Sequence, residues 1–136
     1  MIKPIVRDAF FLNQKSESAT KADLPIAQDL EDTLRANRDR CVGMAANMIG
    51  YRKNIIIVAA GLADFVMINP SITDKAEPYE TEEGCLSLPG TRKTTRYRQI
   101  TVRYMDKKFE EHTQSFSGYI AQIIQHECDH LKGILI

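Results

Sequence analysis

Two histidines four residues apart, with a glutamate after the first, carry the chemistry of this chain. The run His126-Glu127-Cys128-Asp129-His130 has the spacing H-E-x-x-H. On a helix, residues four apart share one face, so both imidazoles can reach a single metal ion. The glutamate can accept a proton from water activated at that metal. The pattern also arises by chance on surface helices, so its context decides. Residues 117 to 125 read as helix, with Ile120, Ile123, Ile124, Glu127 and Leu131 at helical spacing and Gly133 as a stop.

A catalytic metal usually keeps three protein ligands and one open position. After His130 the sequence reads Leu-Lys-Gly-Ile-Leu-Ile, which offers no good ligand, so the third is expected upstream. Cys41, Cys85, His112 or a carboxylate could serve. Cys128 should face away from the histidine pair as a small buried hydrophobe. Cys85 is the strongest of these: it sits in Glu83-Gly84-Cys85-Leu86-Ser87-Leu88-Pro89-Gly90, where glycine permits close backbone approach. The alternative for Cys85 is a buried, inert thiol.

Three ordered segments resemble the peptide deformylase family, which carries G-x-G-x-A-A-x-Q, then E-G-C-L-S, then Q-H-E-x-D-H-L. Here they read Cys41-Val42-Gly43-Met44-Ala45-Ala46-Asn47-Met48, Glu83-Gly84-Cys85-Leu86-Ser87 and Gln125-His126-Glu127-Cys128-Asp129-His130-Leu131. The last two match at every defining position. The first departs: Cys41 replaces a glycine, Asn47 a common proline, and Met48 a glutamine whose amide holds the formyl oxygen in the family. Methionine has no donor. The resemblance therefore implies reduced activity unless Gln122 or Asn47 supplies an amide.

The resemblance implies a metal-dependent hydrolase that removes the formyl group from N-formyl-methionyl nascent peptides and releases formate. Its metal ligands would be Cys85, His126 and His130, with Glu127 as the general base and the backbone N–H of Leu86 as a donor to the oxyanion. One divalent ion is expected, Fe2+ physiologically, with Zn2+ or Ni2+ in purified protein. Gln125 and Asp129 flank the ligands and could orient them. Val42, Gly43 and Gly84 could pair with a substrate lying as an added strand. Tyr119, Gln122 and Ile123 share the His126 face and, with Met48, would line the methionine pocket. Arg92, Arg96 and Arg98 form a basic cluster that could hold a carboxylate or a ribosomal phosphate, or simply be solvated. Two other functions stay open: a metallohydrolase acting on another N-acyl group, and a non-catalytic metal-binding relative, against which the intact Glu127 argues.

The 136 residues are enough for one domain, residues 1–136, with a real core. Eighteen basic and eighteen acidic side chains balance, so nothing points to nucleic acid or an anionic membrane, although transient ribosome contact fits the substrate. Three cysteines make no disulfide framework, which fits a reducing cytoplasmic setting. The N-terminal residues do not read as a signal peptide, and the longest apolar run, 55 to 62, is too short to span a bilayer.

These residues need elements to position them. The first stretch, to about Ala22, reads as an irregular arm. Residues 24 to 38 read as a helix with Ile26, Leu30 and Leu34 on one face, Asp23 as cap and Pro25 in the first turn. Residues 43 to 50 read as a loop of small residues. Strands are expected at 54–60, 65–69, 80–88, 98–105 and 109–116, with turns at 61–64 and 106–108. The fold class is α+β: mostly antiparallel sheets around a central C-terminal metal-binding helix, as in peptide deformylases.

Overall fold

A computed structural model describes residues 1–61 and 63–136. The expected turn at 61–64 includes Leu62, which lies outside the described residues. Among the described residues three α-helices, α1 (Ala9–Leu12), α2 (Leu24–Ala36) and α3 (Gly118–Leu131), accompany five strands. The strands are β1 (Gly43–Ala45), β2 (Ile55–Ala60), β3 (Ala63–Cys85), β4 (Leu88–Met105) and β5 (Glu111–Ser117). They form one antiparallel sheet in chain order. The expected α+β class, antiparallel pairing and C-terminal helix are all present.

Strand β2 explains how the core is divided. Ile55, Ile56, Ile57 and Val58 are all fully buried, and successive side chains of a strand point to opposite faces. Ile55 and Ile57 pack with Ile26, Ala27, Leu30 and Leu34 of α2. Ile56 and Val58 pack with Ala121, Ile123, Ile124, Cys128 and Leu131 of α3. The sheet is therefore a wall with a helix on each side, and α3 is held against it by its apolar stripe.

Several expectations are corrected. The arm contains the short helix α1 and a 3-10 turn at Lys21–Asp23. Asp23 stands at the N-cap of α2 as expected, but its carboxylate makes no capping bond to that helix; it accepts from the Thr20 N–H at 2.8 Å and closes the preceding turn. The stretch 43–50 is not a loop throughout: β1 is followed by a 3-10 turn at Ala46–Ile49. The strand expected at 80–88 is broken by a turn at Leu86 and Ser87, so Cys85 ends β3 and Leu88 opens β4. Both strands run far into the solvated stretch that separates the expected pieces, and the ladder shifts register beside Ile68, Ile72 and Gly84. At the first shift Asn69 takes φ 52°, a conformation asparagine tolerates, and its amide clamps the backbone of Ala19 in both directions.

The arm also meets the end of α3. Gly133, at φ 78°, stops the helix where a Cβ would lie 2.5 Å from the Asn13 carbonyl oxygen, so only glycine fits. Ser16 N–H donates to the Leu131 carbonyl at 2.8 Å, satisfying one of the carbonyls that a helix end leaves open.

Candidate metal centre

Helix spacing brings the His126 and His130 rings to 4.8 Å between centroids, both buried. The end of β3 brings Cys85 to them, and the ligand atoms of the three residues lie within 4.8 Å of one another. The orientation of the first imidazole is set by Glu83. Its Oε1 lies 2.8 Å from His126 Nδ1, so Nδ1–H donates to the carboxylate and Nε2 keeps its lone pair. That lone pair faces His130 Nε2 at 3.0 Å. At that distance the two nitrogens either share a proton, His130 Nε2–H donating to His126 Nε2, or turn both lone pairs to one cation. With a cysteine sulfur alongside, the donors fit a divalent ion that takes mixed sulfur and nitrogen ligands.

Glu83 is the hub of the buried surroundings. It accepts from Arg96 Nε at 3.0 and 3.1 Å, Arg96 Nη2 at 2.7 Å and Gln122 Nε2 at 2.8 Å. Burial opposes its charge, but the hydrogen bonds from His126, Arg96 and Gln122 hold its carboxyl well below the usual range. Arg96, only 3% exposed, spends its remaining arm on Asp129 at 2.6 Å. Asp129 thus reaches the ligands only through Arg96 and Glu83. Gln125 orients no ligand: its amide binds the Tyr97 N–H and carbonyl, both at 2.8 Å, and fastens α3 to β4. The expected arginine cluster dissolves as well. Arg96 is buried here, Arg92 donates to the Pro89 carbonyl, and Arg98 lies over the Tyr79 ring.

Glu127 points into the same place from the helix. Burial pushes its carboxyl up to about 7, the range of a group that can both take and return a proton near neutrality. Its Oε1 is buried without a hydrogen-bond partner among the described residues. Gly43 of β1 lies directly over it: a Cβ there would sit 2.6 Å from Ile123 Cγ2 and 3.0 Å from Glu127 Oε2. A second tie comes from Asn47, whose amide nitrogen donates to the His130 carbonyl at 2.9 Å.

A cleft of about 380 Å³ opens above these groups. Every residue expected to touch substrate lines it: Val42, Gly43, Met48, Gly84, Tyr119, Gln122 and Ile123, together with Leu86. β1 is the first strand of the sheet and pairs only with β2. The Val42 carbonyl is turned to Ala59, so alternation leaves the Gly43 backbone facing the other way.

The other sulfur and histidine candidates fall away. His112 sits on β5, bonded to Asp106 at 2.7 Å and stacked on Tyr104. Cys128 is buried in the α3 side of the core. Cys41 lines the cleft, but burial pushes its thiol up to about 12 and the thiol donates to the Gly43 carbonyl. Of the expected substitutes for the missing glutamine amide, Asn47 donates to the His130 carbonyl and does not line the cleft, while Gln122 lines the cleft and is anchored by one N–H to Glu83 and by its oxygen to the Tyr79 hydroxyl.

Sequence reasoning missed Glu83 as the partner of His126, although it lies two residues before Cys85, on the same face of a strand. It also missed the arginine beneath it and the side chain of Arg7, which donates to the Leu86 carbonyl at 2.8 Å.

A sulfur and two imidazoles beside a buried carboxylate form the side-chain set of a metal-dependent hydrolase. Comparison with known proteins gives the family. The family model described as polypeptide deformylase matches residues 2–136. The peptide deformylase of Clostridium beijerinckii is 58% identical over 136 residues, covering 100% of both chains. That of Pseudothermotoga lettingae is 39% identical over 129 residues, covering 91% of this chain and 74% of its own. Among solved structures, a Met-Ala-Ser-bound class I type b peptide deformylase from Acinetobacter baumannii matches with TM-score 0.89 at 29% identity, over 99% of this chain and 97% of that one. The Thermotoga maritima enzyme matches equally well, with TM-score 0.89 at 29% identity, over 99% of this chain and 95% of its own.

The chain belongs to the polypeptide deformylase family. It is a hydrolase that uses a divalent metal and removes the N-formyl group from nascent peptides.

Proposed function

We propose that Cys85, His126 and His130 hold the metal, that Glu127 moves the proton, and that a formyl-methionyl peptide lies in the cleft between β1 and α3. The convergence of the three ligand atoms beside the buried Glu127 carboxyl carries this reading. When bound, the ion supplies Lewis acidity to water and to the formyl carbonyl. Glu127 accepts the proton released from water and returns it to the departing amine. The Leu86 N–H donates to the formyl oxygen as negative charge develops there. The edge of β1 at Gly43, where the Cys41 thiol gives up the carbonyl it holds, receives the peptide backbone as an added strand, with Val42 and Gly84 beside it. Ile123, Met48, Gln122 and Tyr119 surround the methionine side chain. The Met-Ala-Ser-bound structure from Acinetobacter baumannii supports this placement, since that peptide is bound to a protein of the same fold.

Sulfur beside two nitrogens suits Fe2+ as the physiological ion, with Zn2+ or Ni2+ taken up during purification. Formylated nascent chains as substrate place the enzyme in the cytoplasm, in transient contact with the ribosome, and the whole of residues 1–136 acts as one domain. Formate release from formyl-Met-Ala-Ser, with ferrous iron under nitrogen, tests the activity, and Glu127→Ala tests the assignment. The variant should retain metal and lose turnover. Full turnover in that variant overturns the role given to Glu127.

A further inference from the structure

The N-terminal arm reaches the end of β3 through one side chain. Arg7 Nη1 donates to the Leu86 carbonyl oxygen at 2.8 Å, across 79 residues of sequence. The Leu86 carbonyl and the Ser87 N–H are two ends of one planar peptide group. That N–H donates to Cys85 Sγ at 3.4 Å. A guanidinium thus holds one end of a peptide whose other end touches the sulfur.

We propose that Arg7 is a positioning residue for the Cys85 thiolate, acting through the Leu86–Ser87 peptide. Holding the carbonyl fixes the direction of the N–H aimed at sulfur. Polarising the carbonyl makes that N–H a stronger donor, because linked hydrogen bonds reinforce one another. A stronger donor stabilises negative charge on sulfur and sets how much of it a bound ion receives.

The surroundings suit this role. Arg7 is tied on both sides: Val6 N–H donates to the Met48 carbonyl at 2.8 Å, and the Asp8 carboxylate accepts from the Phe10 N–H at 3.0 Å to start α1. The turn it grips has little hold of its own. The ladder shifts register between Gly84 and Cys85, and the Ser87 hydroxyl is buried without a hydrogen-bond partner among the described residues.

The inference rests on Cys85 being a metal ligand, and the experiment separates the two. The full chain is loaded with cobalt(II), and the sulfur-to-cobalt charge-transfer absorption is recorded for wild type, Arg7→Met, Arg7→Lys and the exposed control Arg35→Met. Zinc affinity is measured on the same four proteins by competition with a chromophoric chelator. Loss of a group bonded directly to a ligand typically costs about 10–100-fold in affinity, and Arg7 stands one bond further out, so Arg7→Met should weaken zinc binding roughly threefold to tenfold and shift the band. Arg7→Lys, which keeps a charged donor, should recover most of both effects, and Arg35→Met should change neither. An unshifted band with wild-type zinc affinity in Arg7→Met overturns the proposal. So does an Arg7→Lys protein as weak as Arg7→Met, which would make the effect one of arm packing. A wild-type protein with no sulfur-to-cobalt band removes Cys85 from the ligands and takes this inference with it.

Discussion

Replacing Glu83 with alanine should damage stability and metal binding together, and a second substitution should pull the two apart. Glu83 accepts from His126, Gln122 and three times from Arg96, and the Arg96 and Glu83 side chains are only 4% and 7% exposed. Removing one partner of such a buried pair costs about 3–5 kcal/mol, because the other charge is stranded. Arg96 would keep Asp129 at 2.6 Å, so the lower end applies. A loss of about 3 kcal/mol lowers Tm by roughly 10 °C in a domain of this size. His126 simultaneously loses the carboxylate that fixes its tautomer, for about 10–100-fold in metal affinity. Adding Arg96→Met to Glu83→Ala removes the stranded cation. It should restore part of the stability and none of the metal affinity. Metal binding itself stabilises the folded state, so urea unfolding should be run with a chelator, and affinity measured separately by zinc competition. A Glu83→Ala loss below about 1 kcal/mol, the range of an exposed ion pair, would refute the reasoning, as would recovery of metal affinity in the double variant.

Four further outcomes are expected. Cys85→Ala should lose metal and activity by well over tenfold, about the cost of a missing ligand or more, read by metal analysis after dialysis. Glu127→Ala should keep its metal while turnover falls by about a hundredfold or more, read by formate release. Met48→Gln should raise kcat by up to roughly a hundredfold with zinc affinity unchanged, because Asn47 lies outside the cleft and the Gln122 amide is anchored by Glu83 and Tyr79; an unaltered kcat would show that Gln122, through its second N–H, or another group already donates. Gly43→Ala should press on Ile123 and Glu127, costing about 1–3 kcal/mol of stability by overpacking and reducing turnover, checked by thermal melting beside the formate assay.

What could be read from the sequence was what local spacing decides. Helix α3 and its histidine pair follow from side chains recurring along one helix face, and the α2 stripe follows in the same way. Strand β2 is legible from its apolar run, and β5 is legible although Phe116 is the one buried residue in it. Residues 70 to 79 and 89 to 97, outside the expected pieces, are mostly polar and solvated, so alternation gives little signal there and the sequence predicts only shorter pieces of β3 and β4. Arg96 could not be told from Arg92 or Arg98, because burial of one arginine depends on the helix packed over it. The Arg7 bond lay further out of reach, since nothing in a sequence announces which carbonyl lies beside a side chain 79 positions away.

The clasp between the arm and the last helix also sets a timetable. Ser16 bonds to Leu131, and Arg7 to Leu86, so residues of the arm wait for partners synthesised much later. The strands pair with their neighbours in chain order and can form as the chain lengthens. Helix α3 follows every strand, and both histidines lie on it. Such long-range closures slow folding, because the entropy of joining distant segments must be met before their contacts form. An enzyme that acts on chains still being made would therefore gain the histidines of its own candidate metal centre only after every strand of the sheet has been synthesised.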